Sequence, residues 1–214
     1  MTTIYGSNFA DTLTFDNWSY AWDTLRMGDG NDTVIVPGNA NTAFMFVGES
    51  GNDVFQGGRR TDNALGGTGN DTLDGSGGDD FLSGDAGQDR LIGGTGADWL
   101  KGGEGTDTFV FGRGESAADT ILDWDVRADY IDSTIAGTSA NYAEAMSSVQ
   151  DISMAKYLVE SSTDLKMKDH VFLYNTRTDT GYLMSDLDHN HTFETGVVIK
   201  GAGSAADMNW SDIV

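Results

Sequence analysis

The chain has 214 residues with 34 Asp and Glu against 12 Lys and Arg, a formal charge of −22, and only 38% hydrophobic residues. Such a charge repels phosphate, which excludes nucleic acid as a partner and disfavours an anionic membrane surface. Cysteine is absent, so disulfides, Cys-zinc sites and thiol nucleophiles are excluded; no run of about 18 apolar residues offers a membrane span, and residues 1–30 lack the basic and apolar regions of a cleaved secretory signal.

Residues 1–38 hold three nine-residue segments of one pattern, GSNFADTLT (Gly6–Thr14), WSYAWDTLR (Trp18–Arg26) and MGDGNDTVI (Met27–Ile35). Each has an acid at its sixth place: Asp11, Asp23 and Asp32. Insertions before Trp18 and before Asn39 make them irregular. They are expected to cap the N-terminal end of a repeat array, as terminal repeats do.

From Asn39 to Val110 eight such units follow without insertion. The sixth place is Asp53, Asp62, Asp71, Asp80, Asp89, Asp98 and Asp107, with Phe44 in the first unit. Glycine opens the units at Gly48, Gly57, Gly66, Gly75, Gly84, Gly93 and Gly102, and recurs at the fourth place as Gly51, Gly69, Gly78, Gly87, Gly96 and Gly105. The eighth place is apolar throughout, from Phe46 to Phe109. Glycine-rich stretches turn tightly at low steric cost and expose their carbonyls, and the remaining three residues suit a short strand with its middle side chain inward. Two units then form one coil of a solenoid.

Carboxylates 18 residues apart therefore stack, one column running through Asp53, Asp71, Asp89 and Asp107 and another through Asp62, Asp80 and Asp98. At a coil spacing of about 4.8 Å such neighbours repel by roughly 1 kcal/mol in water and by more when desolvated. A chain this acidic, with 29 glycines, gains little from burial against its backbone entropy and needs something to neutralise it. Carboxylate and carbonyl oxygens converging between coils suit Ca²⁺. The candidate ligands are the seven repeat aspartates, Asp32 upstream, and the backbone at Gly66, Gly69, Gly84, Gly87, Gly93, Gly96, Gly102 and Gly105.

The best units, GGTGNDTLD, GGTGADWLK and GGEGTDTFV, resemble the repeats of the RTX (repeats-in-toxin) family. That resemblance implies a parallel β-roll with calcium between neighbouring turns. The alternative, a flexible Gly/Asp linker, has no need of an apolar residue at every ninth place. Arg60 at a fourth place, Ser76 and Asp85 at second places and Phe44 at a sixth depart from the pattern, leaving calcium beside Arg60 and beside Asn39–Val47 open.

After Val110 the glycine content drops. Phe109–Asp132 resembles the junction that follows the roll in serralysin-type secreted proteases, which implies terminal calcium at Asp119, Asp123 and Asp132; the alternative is that these acids cap strand ends. Ala140–Leu158 carries Tyr142, Met146 and Val149 at helical spacing and is expected to hold one short helix. Val171–Asn175, Gly181–Ser185 and Gly196–Lys200 are expected strands of a β-sandwich-like cap. DLDHNHTFE (Asp186–Glu194) between the last two is taken as a polar turn, with weak calcium binding as the alternative, since it lacks the central glycine and final Glu of an EF-hand. The three histidines fit no zinc or nuclease motif. The ending Asn209–Val214, beyond the last expected strand, looks like the uncleaved C-terminal signal of type I secretion substrates in the serralysin group.

The expected fold is all-β: a parallel β-roll solenoid over 39–110, degenerate repeats capping it over 1–38, and a cap with the secretion signal and one short helix over 111–214. The expected function is that of a secreted, extracellular, non-catalytic calcium-binding RTX module that folds on Ca²⁺ after passing a type I secretion exporter. The alternatives are an extracellular polysaccharide-binding module, with Trp18, Trp22, Trp99 or Trp124 stacking on sugars where they do not simply pack or cap strand ends, and the carrier portion of a larger secreted enzyme.

Overall fold

The structure, a computed structural model, describes residues 3–15, 23–112, 119–133, 142–147, 150–162, 168, 170–186, 193, 195–202, 208 and 210–214. The described residues up to Ser133 wind as a parallel solenoid between two sheets. The first sheet takes β1 (Thr3–Tyr5), β3 (Asp23–Asp29), β5 (Phe44–Ser50), β7 (Asn63–Thr68), β9 (Phe81–Gly87), β11 (Trp99–Gly105) and β13 (Asp119–Ile121). The second takes β2 (Thr12–Thr14), β4 (Thr33–Ile35), β6 (Val54–Gln56), β8 (Thr72–Asp74), β10 (Arg90–Ile92), β12 (Thr108–Phe111) and β14 (Tyr130–Ser133).

The repeat length sets the register. Leu73 pairs with Leu91 and Leu91 with Phe109 in the second sheet, while Ala64 pairs with Leu82 and Leu82 with Leu100 in the first. These eighth-place side chains are fully buried between the sheets, where each of the larger ones contributes about 1.5–3 kcal/mol. Phe46 and Phe55 stack with centroids 5.0 Å apart, and the small Ala64 follows Phe46 in its row.

Three-residue strands, as the unit length predicts, occupy most of the second sheet. In the first sheet β5, β9 and β11 run for 7 residues. There the second-place residues also pair across coils, Glu49 with Gly67, Gly67 with Asp85 and Asp85 with Gly103, so each strand continues into its turn.

Beyond β13 the first sheet becomes mixed. It adds β18 (Thr195–Lys200) in parallel, then β17 (Thr180–Ser185) and β16 (His170–Asn175) in antiparallel, and finally β15 (Tyr142–Met146) in parallel. The three expected C-terminal strands are thus present, and they extend the roll's own sheet. The helix α1 (Ile152–Ser161) lies on this extension, with Ala155 and Val159 in a second core with Val171, Leu173, Tyr182 and Met184. The helix expected across Ala140–Leu158 is therefore shorter and later. Tyr142–Met146 pairs with His170–Tyr174 as a strand, and α1 starts only after Asp151, whose side chain accepts from the Met154 N–H at 2.8 Å as an N-cap.

The tail follows the last strand, as expected, and packs on the roll. Trp210–Asp212 forms one 3₁₀ turn, buried Ile213 bridges to Ile131, and the Val214 N–H donates to the Ile131 carbonyl at 2.8 Å. It covers the last strand of the second sheet, β14. No described helix is long and apolar enough to cross a membrane.

Candidate metal centre

From Asp32 onward each described aspartate of the two columns stands where a turn enters a strand, and its Oδ1 accepts the backbone N–H of the sixth-place residue one coil earlier. In the first column Asp11 donates to Asp32 at 2.7 Å, Asp32 to Asp53 at 2.8 Å, Asp53 to Asp71 at 2.7 Å, Asp71 to Asp89 at 2.8 Å, Asp89 to Asp107 at 2.9 Å and Asp107 to Asp129 at 3.1 Å. In the second column Phe44 donates to Asp62 at 2.6 Å, Asp62 to Asp80 and Asp80 to Asp98 at 2.7 Å, and Asp98 to Asp119 at 2.9 Å. The two columns expected from the repeat length are present. Each also extends further than the repeats do.

The other carboxylate oxygen divides the turns into two kinds. Oδ2 of Asp32, Asp53, Asp71, Asp80, Asp89, Asp98 and Asp107 is buried and meets no donor among the described residues. Every turn leading into one of these seven has positive φ at both its second and fourth places: Gly28 and Gly30, Glu49 and Gly51, Gly67 and Gly69, Ser76 and Gly78, Asp85 and Gly87, Gly94 and Gly96, Gly103 and Gly105. Even the non-glycine residues comply, with φ of 76° at Glu49, 66° at Ser76 and 74° at Asp85. Such a conformation costs a residue with a Cβ of order 1–3 kcal/mol.

In the second kind of turn neither place has positive φ, and the amide four residues before the Asp caps Oδ2. Ser7 N–H does so for Asp11 at 2.6 Å, Gly58 N–H for Asp62 at 3.1 Å and Asp125 N–H for Asp129 at 2.8 Å.

First-place glycines border the bare oxygens. A Cβ on Gly66, Gly84, Gly93 or Gly102 would fall on Oδ2 of Asp71, Asp89, Asp98 or Asp107. One on Gly48 would also strike the Gly66 carbonyl oxygen of the next coil. Met27 holds the first place before Asp32, so that cradle carries a side chain. The fourth-place Gly69, Gly87, Gly96 and Gly105 lie against the carbonyls of Gly51, Gly69, Gly78 and Gly87 one coil earlier, an approach that a side chain would block.

Burial drives the pKa values of these carboxyls up. Asp53 and Asp89 are raised to about 6, Asp71 to about 7 and Asp80 to about 8, the ladder amides pulling each back and neighbouring carboxylates pushing it up. Desolvation likewise raises Asp32, Asp98 and Asp107, and takes Asp62 and Asp129 to about 6.

Among the other candidates, Asp119 continues the second column. Asp123 accepts from the Gly102 and Gly103 amides at 2.9 and 3.0 Å. Asp132 is ion-paired with Arg90 at 2.8 Å. Of the loop Asp186–Glu194, only the buried Asp186 and Phe193 are among the described residues; Trp18 and Trp22 are outside them. Trp124 is buried against Phe109, and Trp99 is 48% exposed.

Sequence reasoning missed Asp129, which follows Asp107 by 22 residues and so falls out of the period. It also missed a second ladder at the fifth place, where Asn52 N–H donates to Asn31 Oδ1 at 2.9 Å, Asn70 to Asn52 at 2.8 Å and Gln88 to Asn70 at 2.9 Å. The recurrent Asn before Asp was its signal.

Among the described residues no three His or acidic side chains gather closely enough to hold an ion by themselves. An ion here would be shared between buried Oδ2 atoms and backbone carbonyls, all hard oxygen donors, a set that suits calcium over zinc or copper.

Residues 46–59, 56–91 and 83–116 match the RTX calcium-binding nonapeptide repeat family. No curated protein matches the chain. Among solved structures it is similar to the AlgE6R3 subunit of the mannuronan C5-epimerase of Azotobacter vinelandii, at 28% identity over 76% of this chain and 77% of that one, with a TM-score of 0.41. The stretch from residue 46 to 116 consists of RTX calcium-binding nonapeptide repeats, and its described residues, 46–112, are wound as a parallel β-roll.

Proposed function

We propose that the chain is a non-catalytic module whose folding is driven by calcium outside the cell, after export through a type I secretion channel. The observation that carries the calcium half is the set of seven buried Oδ2 atoms without a donor. Asp32, Asp53, Asp71, Asp80, Asp89, Asp98 and Asp107 supply these oxygens, and the carbonyls of the glycine turns beside them complete the set, with Asp119 extending the second column. Asp123, whose two oxygens already accept amides, serves as a cap in this reading. Bound calcium supplies two positive charges and a shell that takes six to eight oxygens.

Adjacent cradles leave four gaps between Asp32 and Asp107 and one between Asp80 and Asp98. About five sites, each at calcium about ten times its Kd, contribute about 1.4 kcal/mol apiece and about 7 kcal/mol together, the stability of an ordinary domain. Extracellular calcium modules bind at about 10⁻⁴ to 10⁻³ M. Sites of that affinity are empty in a cytosol, where the chain stays open enough for a channel.

Titration calorimetry in excess magnesium tests the first half: several calcium ions per chain are expected, and none contradicts it. For export, the full chain expressed beside a type I exporter is expected in the medium. Ile213→Ala, which keeps the tail but weakens its contact with β14, is expected there too, while deletion of Trp210–Val214 retains the chain in cells. Undiminished export of the deletion variant contradicts that half.

A second reading, a polysaccharide-binding module, is favoured by the exposure of Trp99. This ring stands on the outer face of the first sheet in one row with Met45, Asn63 and Phe81. Loss of retention on a polysaccharide column by Trp99→Ala supports it; no retention of the parent chain removes it.

A further inference from the structure

We propose that the turn Gly57–Asp62 is a calcium-independent clamp inside the roll, in which the Gly58 amide takes the place at Asp62 Oδ2 that an ion takes in the neighbouring turns, while Arg59 and Arg60 tie the turn to the preceding coil. The inference rests on the reading that calcium occupies those neighbours. Asp62 shares their letter of the repeat and their ladder, so by sequence alone it is one more ligand.

Four observations set this turn apart. Neither Gly58 nor Arg60 has positive φ, whereas both corresponding places do in all seven turns with a bare carboxylate oxygen. A Cβ at the fourth place disfavours the left-handed region, and the backbone takes another path. On that path the Gly58 N–H points at Asp62 Oδ2 and caps it at 3.1 Å, as Ser7 and Asp125 do for Asp11 and Asp129 at the two ends of the other column. An end-type turn has thus been placed in the interior.

The two arginines of the turn fasten it to the coil before. Arg59 Nε donates to the Gly38 carbonyl at 2.6 Å and Arg60 Nε to Asn41 Oδ1 at 2.5 Å, both reaching back to the preceding coil. That coil is itself folded by a short turn, with Ala40 N–H donating to the Pro37 carbonyl at 2.7 Å. Two long side chains of this turn therefore span the gap between coils. Finally, the preceding member of the column is Phe44, which brings no second carboxylate; its N–H donates to Asp62 Oδ1 at 2.6 Å and its ring packs on Phe15 with centroids 5.1 Å apart. Both oxygens of Asp62 have donors, and the coils are bridged without a shared ion.

The clamp adjoins the first cradle of its column. Gly78 in the Gly75–Asp80 turn lies directly on the Arg60 carbonyl.

Native mass spectrometry of the full chain in calcium, compared across Asp62→Asn and Asp80→Asn, tests the proposal; Asn keeps the Oδ1 acceptor, so the ladder survives. Asp62→Asn is expected to bind as many ions as the parent, and Asp80→Asn at least one fewer. Equal losses overturn the clamp. A parent chain that binds no calcium defeats the calcium reading, and the clamp is then judged by hydrogen exchange in chelator. There the Gly58 amide is expected to exchange about tenfold more slowly than Gly67, and to lose that protection in the Arg59→Ala, Arg60→Ala double variant. Equal rates at Gly58 and Gly67 overturn it on this measure as well.

Discussion

The Asp53 amide donates to Asp71 Oδ1 at 2.7 Å, while Oδ2 of the same Asp71 carboxylate is buried and meets no donor among the described residues. One oxygen holds two coils in register and the other is left to a cation. A buried anionic oxygen without a partner is costly, and an unfolded chain relieves that cost by returning it to water.

Acid should therefore stand in partly for metal. In the metal-free roll Asp53 and Asp89 have pKa values raised to about 6, Asp71 to about 7 and Asp80 to about 8, from an ordinary 3.8. The folded state then binds more protons than the unfolded state between these limits. The contribution of these groups to stability is full below about pH 4 and is lost as pH rises through 6 to 8. In chelator, strand content by circular dichroism is expected to increase from pH 8 to pH 5. With calcium present, protons compete for the same oxygens and the calcium midpoint should rise over the same descent. A midpoint independent of pH contradicts the assignment of Oδ2 as ligand.

Asp89→Asn keeps the acceptor for the Asp71 amide and removes the charge beside Gly84. It is expected to lower the number of bound calcium ions and to raise the midpoint of calcium-induced folding severalfold. Asp74, on the outer face of β8 with its Oδ1 accepting from the Ser76 hydroxyl at 3.1 Å, is the control. Asp74→Asn should leave both quantities unchanged in the same titration. Equal shifts would show that general charge, and not the column, governs binding.

Glycine at the first place is required for space. A Cβ on Gly84 would collide with Oδ2, Cγ and Cβ of Asp89, whereas one on Gly38 meets nothing within 4 Å. Gly84→Ala is expected to lower the calcium-bound stability by about 1–3 kcal/mol in thermal or urea denaturation. Gly38→Ala should be neutral or gain up to about 1 kcal/mol through the unfolded state.

The columns were legible in the letters because a repeat of fixed length forces stacked positions, and the eighth-place residues from Phe46 to Phe109 were legible as core for the same reason. The features that escaped are those that break the period. Asp129 lies 22 residues after Asp107, and Ile213 reaches β14 from the far end of the chain. Tyr142–Met146 has helical spacing but finds a strand partner in His170–Tyr174, a long-range pairing that local periodicity does not encode. The two kinds of turn were half visible: Arg60 marked the exception, but that its turn redirects the Gly58 amide to Asp62 follows only from the backbone path.

The most direct measurement is far-ultraviolet circular dichroism of the full chain at neutral pH, with hydrogen exchange read over residues 66–110, in chelator, in millimolar calcium and in equal magnesium. Calcium is expected to produce strand signal and slow exchange in this segment. Magnesium, with its smaller octahedral shell and reluctance to dehydrate, is expected to leave it open. A roll equally protected in chelator and in calcium would contradict calcium-driven folding.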